Sequence, residues 1–359
     1  MSWIKRISTL ILIVIMSCFI GVVTVELALR ILKSNDPLAH TSEANILRNF
    51  HHAYDISQIS GNGTPSVDYV RNQYGLRDTC RSPADIEILT IGGSTTDQRY
   101  VPLNSTYQNI IEERIKMSSD AFGCVSNAGV DGHSTWGHLY SFKNWFPLIP
   151  GLKPKIVLLY VGVNDADFLR TSPNIGFDTV RTNGIKGFIK RFEIVKGLLP
   201  IYRLLSQKFD NTSASYVKHL PKQYTDDDYT VNVINEQTKL LSNQNALAFR
   251  SRMENLLSEI QSLGAVPLCV TQPHRFVKEI DGEVRGLESV LGEGYSGIDY
   301  DYSILKLNEV IFDLCGSSTI DLYSHEFSNS HFYDEVHTTA SGSEEIGRVI
   351  ADFIIENYK

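Results

Sequence analysis

The sequence predicts an α/β fold built on a parallel, doubly wound sheet, and three observations support this. From residue 86 onwards, short apolar runs alternate with stretches of helical periodicity, the order expected of strand, crossover and strand with right-handed connections. The run at 155–161 is apolar after its first residue, as a strand covered on both faces must be. The first three runs each lead into glycine, where a strand can turn sharply. A chain of 359 residues with 42% hydrophobic content can bury a full core, which excludes a disordered tail or a disulfide-stapled miniprotein. The formal charge of −8, from 33 Lys+Arg against 41 Asp+Glu, argues against a nucleic-acid partner, because binding phosphates concentrates positive charge.

The first element is an apolar helix. Residues 7–25 carry no charge over nineteen positions, about 28 Å of helix against a hydrocarbon core of about 30 Å. A cleaved signal peptide would have a shorter apolar region and a small-x-small cleavage site. No convincing site is present, and helical periodicity continues through Glu26, Arg30 and Leu32. The expectation is an uncleaved signal anchor within residues 1–33. Lys5 and Arg6 would hold the amino terminus in the cytoplasm, leaving the remaining residues outside it.

Residues 34–80 are polar and turn-rich and read as a stalk and wrapping segment without a strong period. The domain expected over 81–359 places strands at 86–91, 124–128, 155–161, 265–270 and 319–322, and helices at 107–115, 136–146, 249–263, 303–314 and 341–358. Two stretches break the alternation. One is a helical, basic insertion at about 170–245; the other follows the fourth strand at 276–300. Between 181 and 210 seven cations face only Glu193 and Asp210, with apolar residues interleaved. That pattern suits the solvated outer face of a lid or cap, and also a helix lying on an anionic membrane.

Cys18 lies in the apolar segment, which leaves Cys80, Cys124, Cys269 and Cys315. An even number permits pairing in an oxidising compartment. Cys80 stands six residues before the first strand and Cys124 opens the second, so these thiols meet if the strands are neighbours. For Cys269 and Cys315, a disulfide and two buried thiols are equally compatible with the spacing. No C-x-x-C occurs and the ten histidines are scattered, so neither a metal nor another cofactor is expected.

Ligands of open parallel sheets bind beyond the carboxyl ends of the strands. The residues there are Gly92-Gly93-Ser94-Thr95-Thr96, then Asn127 to Gly132, then Gly162-Val163-Asn164-Asp165, and finally Asp334-Glu335-Val336-His337 before the last helix. A serine on a glycine turn that opens a helix exposes its hydroxyl and a backbone amide suited to an oxyanion. His337 can take the serine proton, and Asp334, three residues earlier, can orient the imidazole. Asn164 offers a side-chain NH2, and the Gly132 amide can approach a ligand closely because no Cβ intervenes. Further candidates for substrate contact are Gln98 and Arg99, against a solvated helix start, and His133, which with His138 also suits packing. His274, after the fourth strand, is a rival base and a further substrate contact.

In these four blocks, in order over about residues 86–357, the sequence resembles the SGNH (GDSL-like) hydrolases. The resemblance implies a flavodoxin-like three-layer α/β/α sandwich, with Ser94 as nucleophile and Asp334 with His337 as the Asp-x-x-His pair. It also implies an oxyanion hole of the Ser94 amide, Gly132 and Asn164. Gly93 departs from the pattern, since many members have an aspartate there. The layout looks like that of membrane-anchored bacterial members with a periplasmic catalytic domain. The activity expected is an extracytoplasmic serine esterase removing O-acyl, especially O-acetyl, groups from cell-surface glycan, so an acylated glycan or lipid is the expected partner. The same residues suit an O-acyltransferase with a sugar hydroxyl in place of water, a lysophospholipase or a thioesterase. Outside catalysis, the alternative is an inactive membrane-tethered binding module.

Overall fold

The computed structural model describes residues 2–34, 36–59, 66–118, 123–166, 192, 194–195, 221–288, 290 and 295–358. The basic stretch at 181–210 lies outside the described residues except at 192, 194 and 195. The chain divides into two compact units, Met1–His40 with Thr179–Lys218, and Thr41–Asp178 with His219–Lys359.

The first unit contains helix α1 (Ser2–Ser34). Within it Arg6–Ile31 is long and apolar enough to cross a membrane, the one such helix among the described residues; a signal sequence would meet the same criterion. Glu26 interrupts the apolar surface, accepting from Arg30 Nε at 2.7 Å and from Ile194 N–H at 3.1 Å.

The second unit opens with β1 (Phe50–Asp55) and β2 (Ser66–Arg71), an antiparallel hairpin within the stretch expected to be a stalk. Val67, Tyr69 and Arg71 alternate inward along β2, a period of two in the sequence of that strand. Next come β3 (Ile86–Gly92), α2 (Ser94–Asp97), α3 (Tyr107–Ser118), β4 (Cys124–Asn127), α4 (Thr135–Asn144) and β5 (Ile156–Tyr160). After them run β6 (Tyr229–Thr230), α5 (Glu236–Ser262), β7 (Val266–Val270), β8 (Val277–Ile280) and β9 (Glu283–Leu287). The chain closes with α6 (Gly297–Cys315), β10 (Thr319–Ile320) and α7 (Ala340–Asn357).

Five parallel strands form the central sheet in the order β10-β7-β5-β3-β4. Taken in chain order, this is the 2-1-3-4-5 arrangement of a flavodoxin-like sheet, whose switch point falls between β3 and β5. On one face Ile88, Leu158, Tyr160 and Val270 pack with Tyr107 and Ile111 of α3 and Ile346 and Ile350 of α7. Helix α5 packs against α4 and α6, and α5 and α6 pack against β7, completing the third layer. All five residues of β5 are buried, which is why its sequence carries no alternation.

Two helices begin earlier than their periodicity suggests, because caps set their starts. Asn235 Oδ1 accepts from Gln237 N–H at 2.8 Å at the head of α5, and Ser296 with Asp299 forms a capping box at the head of α6. The break after the fourth strand is also ordered. β8 and β9 form a hairpin through Asp281-Gly282, both at positive φ, and β6 adds a third antiparallel strand. Two disulfides, Cys80–Cys124 and Cys269–Cys315, tie β4 to the segment before β3 and β7 to the end of α6.

Candidate active site

The loops after β3 and β5 meet at the switch point. Gly92-Gly93 ends β3 and Ser94 begins the one-turn helix α2, so the serine side chain stands at the carboxyl edge of the sheet. His337 Nε2 lies 2.7 Å from Ser94 Oγ, and His337 Nδ1 lies 2.7 Å from Asp334 Oδ2. Asp334 Oδ1 in turn accepts from the backbone N–H of Val336 at 2.9 Å and of His337 at 2.7 Å. The carboxylate is therefore oriented by its own loop before it meets the imidazole. That loop closes on itself, with Tyr333 N–H donating to His337 O at 3.0 Å and the Tyr333 and His337 rings stacked at 5.6 Å.

The electrostatics suit a proton acceptor. Burial disfavours the charged form of His337, yet the Asp334 carboxylate, assisted by Asp131 and Glu335, outweighs it and holds the pKa above the ordinary histidine value. Burial would raise the Asp334 carboxyl, but His337 and the two backbone donors hold it below the usual carboxylate range.

Hydrogen-bond donors gather beside the Gly93-Ser94 turn, where Asn164 Nδ2 and His133 O lie close to Gly93. Asn164 Nδ2 gives one hydrogen to His133 O at 2.9 Å, which fixes the amide and leaves the second without an acceptor among the described residues. Gly132 adopts φ +79 in the turn from Val130 to His133 that follows β4. Neither its N–H nor that of Ser94 has an acceptor among the described residues. The glycine at position 93 has a steric reason: a Cβ there would sit 2.3 Å from Asn164 Nδ2 and 3.1 Å from His133 O. The first and third blocks interlock at that point.

The remaining candidates are engaged elsewhere. Gln98 is not at a solvated helix start; it spans the core from Tyr107 N–H at 3.1 Å to Ser343 Oγ at 2.6 Å. Arg99 is buried between Asp97 and Asp131 at 3.3 and 3.2 Å. His133 is buried with Nε2 on Ala44 O at 2.7 Å, and burial pushes its pKa down to about 4, so it is neutral. His138 is buried beside it and equally uncharged. His274 Nδ1 accepts from Phe276 N–H at 3.2 Å and its Nε2 lies 3.4 Å from Asp301, whereas His337 holds the position beside Ser94.

Two further residues of the third and fourth blocks brace their neighbours. Asp165, next to Asn164, is buried and accepts from Thr135 N–H at 3.1 Å and Thr135 Oγ1 at 2.5 Å, and pairs with Arg252 at 3.3 Å. Glu335 accepts from Lys222 Nζ at 2.5 Å and Tyr224 Oη at 2.8 Å, bracing the histidine loop. Among the described residues no group of three or more His, Cys, Asp or Glu side chains is placed to hold a metal ion.

No family model and no curated protein sequence matches the chain. Several solved structures are similar to it in part. A catalytic mutant of an acetylxylan esterase from Geobacillus stearothermophilus is 12% identical, covering 74% of this chain and 93% of that chain at a TM-score of 0.42. A lipolytic G-D-S-L family protein from Veillonella parvula DSM 2008 is 14% identical, covering 76% and 98% at a TM-score of 0.38. The lipase Lip_vut3 from a goat rumen metagenome is 9% identical, covering 75% and 97% at a TM-score of 0.43. In its own residues and strand order, with four blocks meeting at the switch point of a 2-1-3-4-5 sheet, the chain is similar to the SGNH (GDSL-like) hydrolases.

Proposed function

We propose that the chain is a serine esterase in which Ser94, His337 and Asp334 form the catalytic triad and Ser94 N–H, Gly132 N–H and Asn164 Nδ2 form the oxyanion hole. The observation that carries this is the continuous hydrogen-bonded series from Asp334 through His337 to Ser94, together with Ser94 N–H, Gly132 N–H and the second hydrogen of Asn164 Nδ2, which have no acceptor among the described residues. His337 removes the Ser94 proton as Oγ attacks the ester carbonyl, and the carbonyl oxygen becomes an anion facing the three N–H groups. His337 then protonates the departing alcohol, and a water deprotonated by the same ring releases the acyl group from Ser94. Asp334 keeps Nδ1 protonated and stabilises the imidazolium.

We place this chemistry outside the cytoplasm. The apolar helix at the amino terminus and two disulfides support that setting, because stable disulfides belong to oxidising compartments. An anchored esterase there meets envelope polymers, and O-acetyl groups on surface glycan are the substrate we infer. Labelling by a fluorophosphonate, lost in Ser94→Ala, tests the nucleophile. Acetate release from acetylated oligosaccharides, measured beside p-nitrophenyl esters of rising chain length, tests the substrate. Preference for long acyl chains would replace the glycan reading with a lipid one, and absence of labelling on a folded protein would refute the esterase.

A further inference from the structure

We infer that Arg71, on the hairpin strand β2 and outside all four blocks, is a positioning residue that sets the gap between the two backbone donors of the oxyanion hole. This rests on the esterase reading above. The Arg71 side chain is only 2% exposed. Its Nε donates to Tyr69 Oη at 2.7 Å and its Nη1 to Gly75 O at 2.7 Å, both within its own segment. Nη2 donates outwards to two acceptors, Asp97 Oδ1 and Gly129 O.

Those two acceptors belong to different parts of the site. Asp97 ends the one-turn helix α2, and its N–H bonds back to Gly93 O at 2.9 Å, so it moves with Ser94. Gly129 opens the loop after β4. It is held by Asn127 Oδ1 at 2.8 Å, and three residues later the loop presents Gly132 N–H. Each donor is thus three residues from a group that Arg71 grips, and one nitrogen joins the two sides. A lysine would carry the charge but could not replace the planar fork that holds hairpin and site together. Arg77 reinforces the same side, donating to the carbonyls of Asp97 at 3.0 Å, Gln98 at 2.7 Å and Val101 at 2.7 Å. The hairpin that precedes the sheet therefore completes the active site mechanically while contributing no catalytic group.

The test compares full-length wild type, Arg71→Lys, Arg71→Met and Ser94→Ala. Turnover of p-nitrophenyl acetate and the rate of fluorophosphonate labelling are measured well below each protein's Tm. Both reactions build an anionic oxygen in the same hole. We expect Arg71→Lys and Arg71→Met to lower kcat and the labelling rate by roughly tenfold to a hundredfold, with KM within about threefold, the cost of displacing a donor without removing it. A merely structural role would lower Tm and leave kcat per folded molecule unchanged, and that result overturns the inference. Failure of both variants to fold also overturns it, since Arg71 would then hold the hairpin as a whole. Persistent turnover and labelling in Ser94→Ala would instead refute the esterase reading, so the two failures are distinguishable.

Discussion

Asn164→Ala separates transition-state stabilisation from ground-state binding. In the structure one hydrogen of Nδ2 is committed to His133 O at 2.9 Å, and the other is directed by that bond rather than by substrate. The amide is therefore in place before substrate arrives, and its interaction strengthens only as the carbonyl oxygen becomes an anion. Loss of one such donor of three is expected to lower kcat about a hundred- to a thousandfold, roughly 3 to 4 kcal/mol, with little change in KM. The same truncation leaves the His133 carbonyl without its partner, costing about 1 kcal/mol of stability, which is too little to imitate the kinetic loss at 25 °C. Asn164→Asp should be at least as damaging, because it sets a carboxylate against both the His133 carbonyl and the developing oxyanion. Steady-state kinetics with p-nitrophenyl acetate, accompanied by thermal melts, decide the matter. If both variants keep near-normal kcat and change only KM, Asn164 is a turn or binding residue and the oxyanion assignment fails.

Ser94→Ala should abolish turnover with an unchanged Tm, since a nucleophile and its base together are worth about a millionfold in kcat; more than a few per cent residual activity would require another nucleophile. Because Asp334 holds the His337 pKa above its ordinary value and the base must be neutral, kcat/KM should fall with acid through a pKa above about 6.5. Asp334→Asn should move that acid limb to lower pH while cutting the maximal rate by about ten-thousandfold, and an unmoved limb in the pH profile would contradict the pairing. The disulfides close loops with sequence separations of 44 and 46, worth roughly 4 kcal/mol each in the chain-entropy model. Complete reduction, checked by thiol counting, should therefore lower the Tm by about 10 °C, and an unaltered melt would mean the bridges constrain little. The apolar helix should keep the protein in the membrane fraction with residues 41–359 open to protease added from outside, whereas a shortened soluble product would indicate a cleaved signal.

Much of the site could be read without coordinates because its chemistry sits where strands end. Gly93-Ser94, Gly132, Asn164 and Asp334 with His337 are local patterns at the carboxyl edges of apolar runs, and strand and helix periods placed those edges to within a few residues. The sequence by itself thus determined the alternating α/β order, the apolar amino-terminal helix and which residues were candidates for the site, since each depends on neighbours within one turn or one strand. Tertiary structure alone decided which histidine lies beside Ser94. His274 and His337 both follow strands, and only packing brings His337 Nε2 to 2.7 Å while turning His274 towards Asp301. It also turned Gln98, Arg99 and His133 inward, because a hydrogen bond to Ser343, an ion pair with Asp131 and a hydrogen bond to Ala44 join residues far apart in the chain. The hairpin and Arg71 were hidden for the same reason. A guanidinium's role is set by the acceptors around it, and Asp97 and Gly129 become its neighbours only when β2, α2 and the loop after β4 are packed together.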